Sequence, residues 1–144
     1  MVESIPERLK DAALRLSEDC DKEINRILQH KSVAFVTNPL DYAWEYHEQF
    51  IDKWSNFGAK TLLLGMNPGP YGMAQTGVPF GATAMARDVL DIEEREILTP
   101  SGAHPKRPIE GLSMERQEVS GTRFWSMLST HYGSTEAIFS NIYV

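Results

Sequence analysis

The sequence predicts an α/β domain in which helices pack around a parallel sheet. An apolar run at 61–64 has the length and composition of a buried strand. It leads directly into an uncharged loop, 65–81, which contains five glycines and three prolines. On both sides of this run and loop, apolar residues recur every three or four positions, as in amphipathic helices. Because open α/β sheets bind ligands at the carboxyl ends of their strands, the loop is the candidate site.

Composition narrows the class of protein. The 144 residues suffice for one domain with its own core, and 42% hydrophobic and 24% charged residues are ordinary for a globular protein. The single cysteine, Cys20, excludes an internal disulfide, so a reducing compartment is expected. We expect no signal peptide, because the N-terminus lacks a basic region followed by an apolar core. We expect no membrane partner, because no apolar run approaches about 20 residues. The formal charge of −6 argues mildly against nucleic-acid binding.

Two helices are predicted before the apolar run. The first, from Pro6 to about His30, has a charged face and an apolar stripe, and we expect it to pack on the core. The stripe consists of Leu9, Ala13, Leu16, Cys20, Ile24 and Ile27. The second spans 40–54 and ends at Asn56 and Gly58. His47 lies on its apolar face, and we interpret it as a packed histidine rather than a ligand.

The remaining elements follow the loop. Thr83 is a candidate N-cap for a short helix through 90, and another helix starts at 120 or 121 and ends at Gly133. Residues 137–144 predict a strand, because Phe139, Ile142 and Val144 are apolar with Asn141 and Tyr143 between them. Because the sequence stops directly after it, we expect the chain to be a fragment of a longer protein.

The loop has the chemistry of a slot for a small planar polar ring. Asn67 supplies an acceptor and two donors, so its amide can hold a water or bind a polar edge. Prolines stiffen the backbone, which lowers the entropy lost on binding. Phe80 supplies a flat apolar face. A purely structural Gly/Pro loop with Phe80 in the core explains the same residues equally well.

Other sites find little support in the sequence. The loop does not end in the Gly-Lys-Ser or Gly-Lys-Thr of a phosphate-binding loop. Its prolines also interrupt the Gly-x-Gly-x-x-Gly motif of a dinucleotide-binding site. We expect no metal and no cofactor, because the histidines at 30, 47, 104 and 131 are scattered. A basic cluster, His104, Lys106 and Arg107, could contact DNA phosphates weakly, but an ordinary exposed loop is equally consistent.

The loop also resembles a known signature. Its sequence, GMNPGPYGMAQTGVPFG, is closely similar to that of the single-strand-selective monofunctional uracil-DNA glycosylases, within the uracil-DNA glycosylase superfamily. The similarity continues through 38–45, 98–100, 104–108, 111–112 and 118–125. Irregular spacing of Gly, Pro, Met and Phe over seventeen residues is far more specific than a lone glycine motif.

This resemblance implies a three-layer α/β/α sandwich with a central parallel sheet, incomplete at the C-terminus. Residues 1–144 would form a single truncated domain, with an N-terminal helix at 1–32 and the first half of a catalytic domain at 33–144. The implied function is base-excision repair in the nucleus by a monomeric enzyme. It would remove uracil and 5-hydroxymethyluracil from single- and double-stranded DNA, without metal or cofactor.

The resemblance also assigns roles by motif position. Asn67 would hold the attacking water, and Phe80 would stack on the flipped base. Gly69 would stand where other uracil glycosylases place a tyrosine that blocks 5-substituents, and Met66 and Met73 would line the substrate pocket. The family's uracil-binding asparagine, anion-stabilising histidine and DNA wedge would lie downstream of 144. We therefore expect this chain alone to lack part of the catalytic machinery.

Two other functions remain open from the sequence. One is a truncated homologue that binds only DNA or a partner. The other is a base-flipping amino-methyltransferase, because 67–71, Asn-Pro-Gly-Pro-Tyr, loosely resembles an Asn-Pro-Pro-Tyr loop. No glycine motif for its cofactor accompanies that loop.

Overall fold

The computed structural model describes residues 3–100 and 102–144, of which about half lie in helices. The helices are α1 (Ile5–Leu28), α2 (Pro39–Tyr42), α3 (Trp44–Trp54), α4 (Met73–Thr76), α5 (Thr83–Asp88), α6 (Val119–Tyr132) and α7 (Thr135–Phe139), with a 3-10 turn at Gly111–Ser113. Two strands, β1 (Thr61–Leu62) and β2 (Ile142–Tyr143), pair in parallel. In this pairing Thr61 lies opposite Ile142, and Leu62 lies opposite Tyr143.

The predicted three-layer α/β/α sandwich is wrong for these residues, because the described sheet has only two strands of two residues each. The apolar run at 61–64 is not buried either: the side chains of Leu62 and Leu64 are 66% and 89% exposed. A parallel sheet normally has both faces covered, and β1 lacks such cover.

The predicted strand at 137–144 is also corrected in part. Its first residues belong to α7, because the hydroxyl of Ser134 accepts a hydrogen bond from the amide of Ala137 and caps a helical turn. Only Ile142 and Tyr143 join the sheet. The cap therefore prevails over the alternating pattern that predicted a longer strand.

Helix α1 begins where a capping box predicts it, since Ser4 and Glu7 bond each other's backbone amides. Its apolar stripe is covered only in part, because Leu16 and Ile27 are 56% and 37% exposed. Polar contacts attach the helix instead. The side-chain amide of Asn38, which caps α2, donates to the Ser17 hydroxyl and to the Asp21 carboxylate.

The core lies between α3, α6 and α7. Its largest side chains are aromatic and at most 1% exposed: Tyr46, Phe50, Trp125 and Phe139. Phe139 stacks on Trp54 with ring centroids 5.0 Å apart and meets Phe50 edge-on at 5.7 Å. Burial of each such ring contributes about 1.5–3 kcal/mol. Val78 and Ala82, which flank the end of the loop, belong to the same core and anchor the loop on it.

One of the two helix-capping residues predicted from the sequence is found in the structure, and the other is not. Helix α6 ends at Gly133, whose φ of +81° is the left-handed cap that the sequence predicts. The proposed N-cap role of Thr83 is wrong, because Ala82 occupies the cap and the Thr83 hydroxyl donates to the Met114 carbonyl. None of the helices in the described residues is long and apolar enough to cross a membrane.

Candidate functional site

A cavity of about 710 Å³ opens between α1, α3 and the Gly/Pro loop. Its wall includes every residue of the loop to which the sequence assigns a site role: Met66, Asn67, Gly69, Met73 and Phe80. The other lining groups are mostly apolar. Leu9, Ala12, Ala13 and Leu16 come from α1, and His47, Phe50 and Ile51 come from α3. The first half of the α1 stripe, Leu9, Ala13 and Leu16, therefore lines the candidate site, and no α1 residue belongs to the core cluster of the described residues.

Asn67 lies at the exposed rim of this cavity. Its side-chain nitrogen donates to the carbonyl oxygen of Pro68 at 3.4 Å, which is a long and weak hydrogen bond. Among the described residues, the amide oxygen and the second N–H have no other partner in the hydrogen-bond network. The amide can therefore still bind a water or the polar edge of a ligand.

Phe80 is held in an uncommon backbone conformation, with φ at +50°. For a residue other than glycine this left-handed geometry costs about 1–2 kcal/mol, so surrounding contacts must impose it. The ring stacks on Phe124 with centroids 4.2 Å apart and planes inclined by 16°. The carbonyl accepts a hydrogen bond from the indole Nε1 of Trp125 at 3.0 Å. Helix α6 thus fixes both the backbone and one face of this ring.

The other loop residues differ in exposure. The side chain of Met66 is 97% exposed at the rim, and that of Met73 is half-buried on α4.

The space beside Gly69, which a side chain would fill, is occupied by the carboxylate of Glu118. Glu118 also lines the cavity and is a residue that the sequence analysis missed. Its position within the matched segment 118–125 was the available signal.

Glu118 and His47 are the half-buried ionisable groups that flank the loop. Burial raises the pKa of Glu118 above its usual value of 4.5, an effect that the neighbouring Ser120 hydroxyl and Gly121 amide partly offset. Burial lowers the pKa of His47 below 6.5, although its Nδ1 contact with the Gly77 carbonyl at 2.7 Å opposes this. Neutral His47 with a proton on Nδ1 fits that contact, which supports the packed interpretation.

Gln75 joins the loop to the segment that follows the basic cluster. This side chain is 1% exposed, and its nitrogen donates to the carbonyls of Pro70 at 3.0 Å and Pro108 at 3.1 Å. Its oxygen accepts from the amide of Glu110 at 2.8 Å. The sequence analysis assigned Gln75 no role. Its three bonds make it the connection between the two loops.

The basic cluster lies away from the cavity wall. His104, Lys106 and Arg107 are exposed, and none of them lines the cavity. A cation nearer the loop is Arg116, whose guanidinium lies 4.0 Å from the centre of the Tyr71 ring and donates to its hydroxyl at 3.0 Å. No group of three potential metal ligands occurs within residues 3–100 and 102–144.

Comparison with known proteins gives this site a context. No protein-family model matches the chain. Proteins from Mus musculus, Rattus norvegicus and Bos taurus, each named single-strand selective monofunctional uracil-DNA glycosylase, match 98% of the chain at 40% identity over 141 residues. The chain is homologous to these glycosylases. It spans about half the length of these curated relatives, 49%, 49% and 50% respectively.

The matched region contains the whole site. Because it covers 98% of the chain, it includes the loop 65–81 and Glu118. The family that the loop motif resembles is therefore confirmed as a homologous family. The roles of Asn67 and Phe80 remain predictions. Because both residues line one cavity, variants at the two positions can test these roles.

Proposed function

We propose that this chain carries the base-binding part of a monofunctional uracil-DNA glycosylase, which hydrolyses the bond between uracil and deoxyribose. The main observation is that Asn67 and Phe80 line one cavity in a chain homologous to enzymes of that name. The cavity combines a flat ring, a polar amide and mostly apolar walls. These features suit one extruded pyrimidine.

The proposed mechanism assigns each residue a step. The uracil nucleotide leaves the stack, at a cost of a few kcal/mol, and its ring lies against Phe80. Asn67 positions a water beside the sugar carbon. The glycosidic bond breaks with its electron pair leaving on uracil, while positive charge develops on the sugar carbon. The water then adds to that carbon, and the proton that it loses neutralises the uracil anion. Because an amide does not act as a strong base, the rate depends mainly on positioning and on stabilising the departing uracil anion.

The cavity also supports a hydrolytic rather than a lyase reaction. A glycosylase that cleaves the strand uses an amine nucleophile, and no lysine lies among the described residues of the cavity wall. The expected product is therefore an intact strand with an abasic site. We propose 5-hydroxymethyluracil as a second substrate, because the loop motif has glycine at 69 where other uracil glycosylases place a tyrosine. The Glu118 carboxylate occupies the space beside Gly69, so a 5-substituent would enter there only if that carboxylate moved. Single-stranded DNA is the first substrate to test and double-stranded DNA the second.

The test is release of uracil from a labelled single-stranded oligonucleotide, measured for residues 1–144 and for a longer version that extends over the rest of the relatives' length. We expect the longer version to give free uracil and alkali-labile abasic sites, with no strand cleavage before alkali, and residues 1–144 alone to excise uracil more slowly by roughly 10²- to 10³-fold. Asn67→Ala should lower the single-turnover rate by roughly 10²-fold if it positions the water. Asn56→Ala, at an exposed asparagine outside the cavity, is the matched control.

Two results would contradict the proposal. One is binding of the oligonucleotide without release of uracil both by residues 1–144 and by the longer version, which would favour the non-catalytic homologue. The other is equal excision by the Asn67→Ala variant and the wild-type chain, which would remove Asn67 from the mechanism. S-adenosylmethionine binding would instead favour the methyltransferase alternative.

A further inference from the structure

The carboxylate of Glu118 packs directly against the backbone of the candidate base-binding loop. A Cβ added to Gly69 or to Gly72 would overlap Glu118, and the three nearest atoms to each such Cβ all belong to that carboxyl group. Two backbone bonds close the turn beside it. The amides of Gly72 and Ala74 donate to the Gly69 carbonyl at 3.2 and 3.0 Å. The two glycines and the acid therefore fit together as one packed unit.

The same end of α6 contacts the other end of the loop. A Cβ added to Gly121 would overlap the carbonyl oxygen of Phe80, and the Trp125 indole donates to that oxygen at 3.0 Å. Glu118 immediately precedes α6, as its N-cap residue. The start of one helix thus contacts the turn after Asn67 and the backbone of Phe80, so it spans the two groups that face the cavity.

An acid is a costly residue for packing alone. Removing a carboxylate from water costs free energy unless polar groups compensate for it. Here Ser120 and Gly121 compensate only in part, since burial still raises the pKa of Glu118. A carboxylate at the N-terminus of a helix gains from the helix dipole, but burial still has the larger effect on the pKa of Glu118. The position of Glu118 between the loop and the cavity suggests a role in the site.

We infer that Glu118 is a positioning residue, which holds the turn at 69–72 against α6 and thereby keeps Asn67 and Phe80 in register across the cavity. This inference rests on the proposed function for its catalytic consequence. Glu118 acts through the loop backbone and need not touch the base or the attacking water. Loss of its side chain leaves a space into which the turn can move.

The first test compares Glu118→Ala and Glu118→Gln with the wild-type chain. The measurements are amide hydrogen exchange over 69–76, the single-turnover excision rate and the dissociation constant for uracil-containing DNA. We expect Glu118→Ala to exchange faster at these amides and to excise about 10- to 100-fold more slowly, since a misplacement of about 1 Å can cost 10²-fold. The dissociation constant should change far less. Glu118→Gln, whose side chain has the same shape as that of glutamate, should keep the wild-type protection of these amides against exchange.

Glu115→Ala is the matched control, because Glu115 is an exposed acid just before α6 that does not line the cavity. A second pair of variants tests the packing itself. Gly69→Ala should speed exchange, because its methyl group overlaps Glu118. Adding Glu118→Ala should reverse part of that effect, since the methyl group then occupies the vacated space. Such non-additivity is expected only of residues in contact.

The outcomes separate this inference from the proposed function. If neither residues 1–144 nor the longer version excises uracil, the proposed function fails, and exchange at 69–76 alone decides whether Glu118 holds the turn. If Glu118→Ala leaves that exchange unchanged, the inference is overturned. It is also overturned if exchange increases in Glu118→Ala while the excision rate of an active chain stays at the wild-type value. Equal loss of rate and of affinity in Glu118→Gln and Glu118→Ala would assign the effect to charge instead of positioning.

Discussion

The indole nitrogen of Trp125 donates a hydrogen bond to the carbonyl oxygen of Phe80 across 3.0 Å, which joins the centre of the core to the candidate base-binding ring. Trp125 is fully buried, whereas Phe80 is half-buried at the cavity wall. The bond satisfies the indole and helps hold Phe80 at its positive φ. This contact therefore links core stability to site geometry, together with a second bond to the same oxygen from the amide of Ala82 at 2.9 Å.

Trp125→Phe tests this link. The variant leaves the Phe80 carbonyl without its indole donor and creates a small cavity, so the free energy of unfolding should fall by about 1–3 kcal/mol. Urea denaturation measures this loss. Excision measured at a saturating concentration of the protein should also slow, because the Phe80 carbonyl loses the indole donor that helps hold its backbone.

Trp54→Phe is the matched control for that experiment. The Trp54 indole is also buried and donates to a backbone carbonyl, that of Leu90 at 2.8 Å, but Trp54 does not line the cavity. We expect a similar loss of stability with little effect on excision by the folded fraction. Equal slowing in both variants would show that stability, rather than the Phe80 contact, limits the reaction.

Phe80→Ala should weaken binding of uracil-containing DNA. A base stacked on an aromatic side chain gains about 1–3 kcal/mol, so the dissociation constant should rise by roughly 5- to 150-fold. Fluorescence anisotropy with a labelled oligonucleotide measures it. Phe57→Ala, at an exposed phenylalanine outside the cavity, should leave the constant near its wild-type value. A Phe80→Ala variant with unchanged affinity would support the purely structural interpretation of this ring.

Gln75→Ala should destabilise the protein by roughly 2–4 kcal/mol, because it leaves buried backbone groups without partners. The affected groups are the carbonyls of Pro70 and Pro108 and the amide of Glu110. Thermal and urea unfolding measure the loss. Gln49→Ala removes an exposed pair of bonds to the Glu93 backbone and should cost under about 1 kcal/mol. Similar losses for both variants would contradict the role assigned to Gln75.

His47 should make stability fall as the solution is acidified. Burial lowers its pKa in the folded state below 6.5, so the unfolded chain binds a proton first. This penalty is absent well above pH 6.5 and grows as the pH falls below it. Between pH 7.5 and 5.5, His47→Gln should lose less free energy of unfolding than the wild-type chain.

His131→Gln provides the control for the pH experiment, because His131 is exposed near the end of α6. It should retain the wild-type pH dependence. Glu118 contributes a slope of opposite sign: its raised pKa stabilises the fold below 4.5, and this contribution is lost as the pH rises through the folded-state pKa. Because Glu118 is present in all three proteins, its contribution cancels when they are compared.

Helices were predictable here because their signals are local. The amphipathic period placed α1 and α3 to within a few residues, apart from the break at Ala43 that separates α2 from α3, and Gly133 ended α6 as expected. Strands were predicted poorly. An apolar run such as 61–64 becomes a buried strand only if other elements pack on it. The sequence of the run itself does not indicate whether they do.

The sequence alone was enough to determine the uncharged Gly/Pro loop, the pairing of an amide with a phenyl ring in it, and the homologous family. Those features reside in the order and spacing of neighbouring residues. Only the tertiary structure decided that β1 stays short and exposed, and that Glu118, Gln75 and Trp125 hold the loop. These contacts join residues far apart in the chain, and their formation depends on the packing of α6 and the core rather than on any local preference.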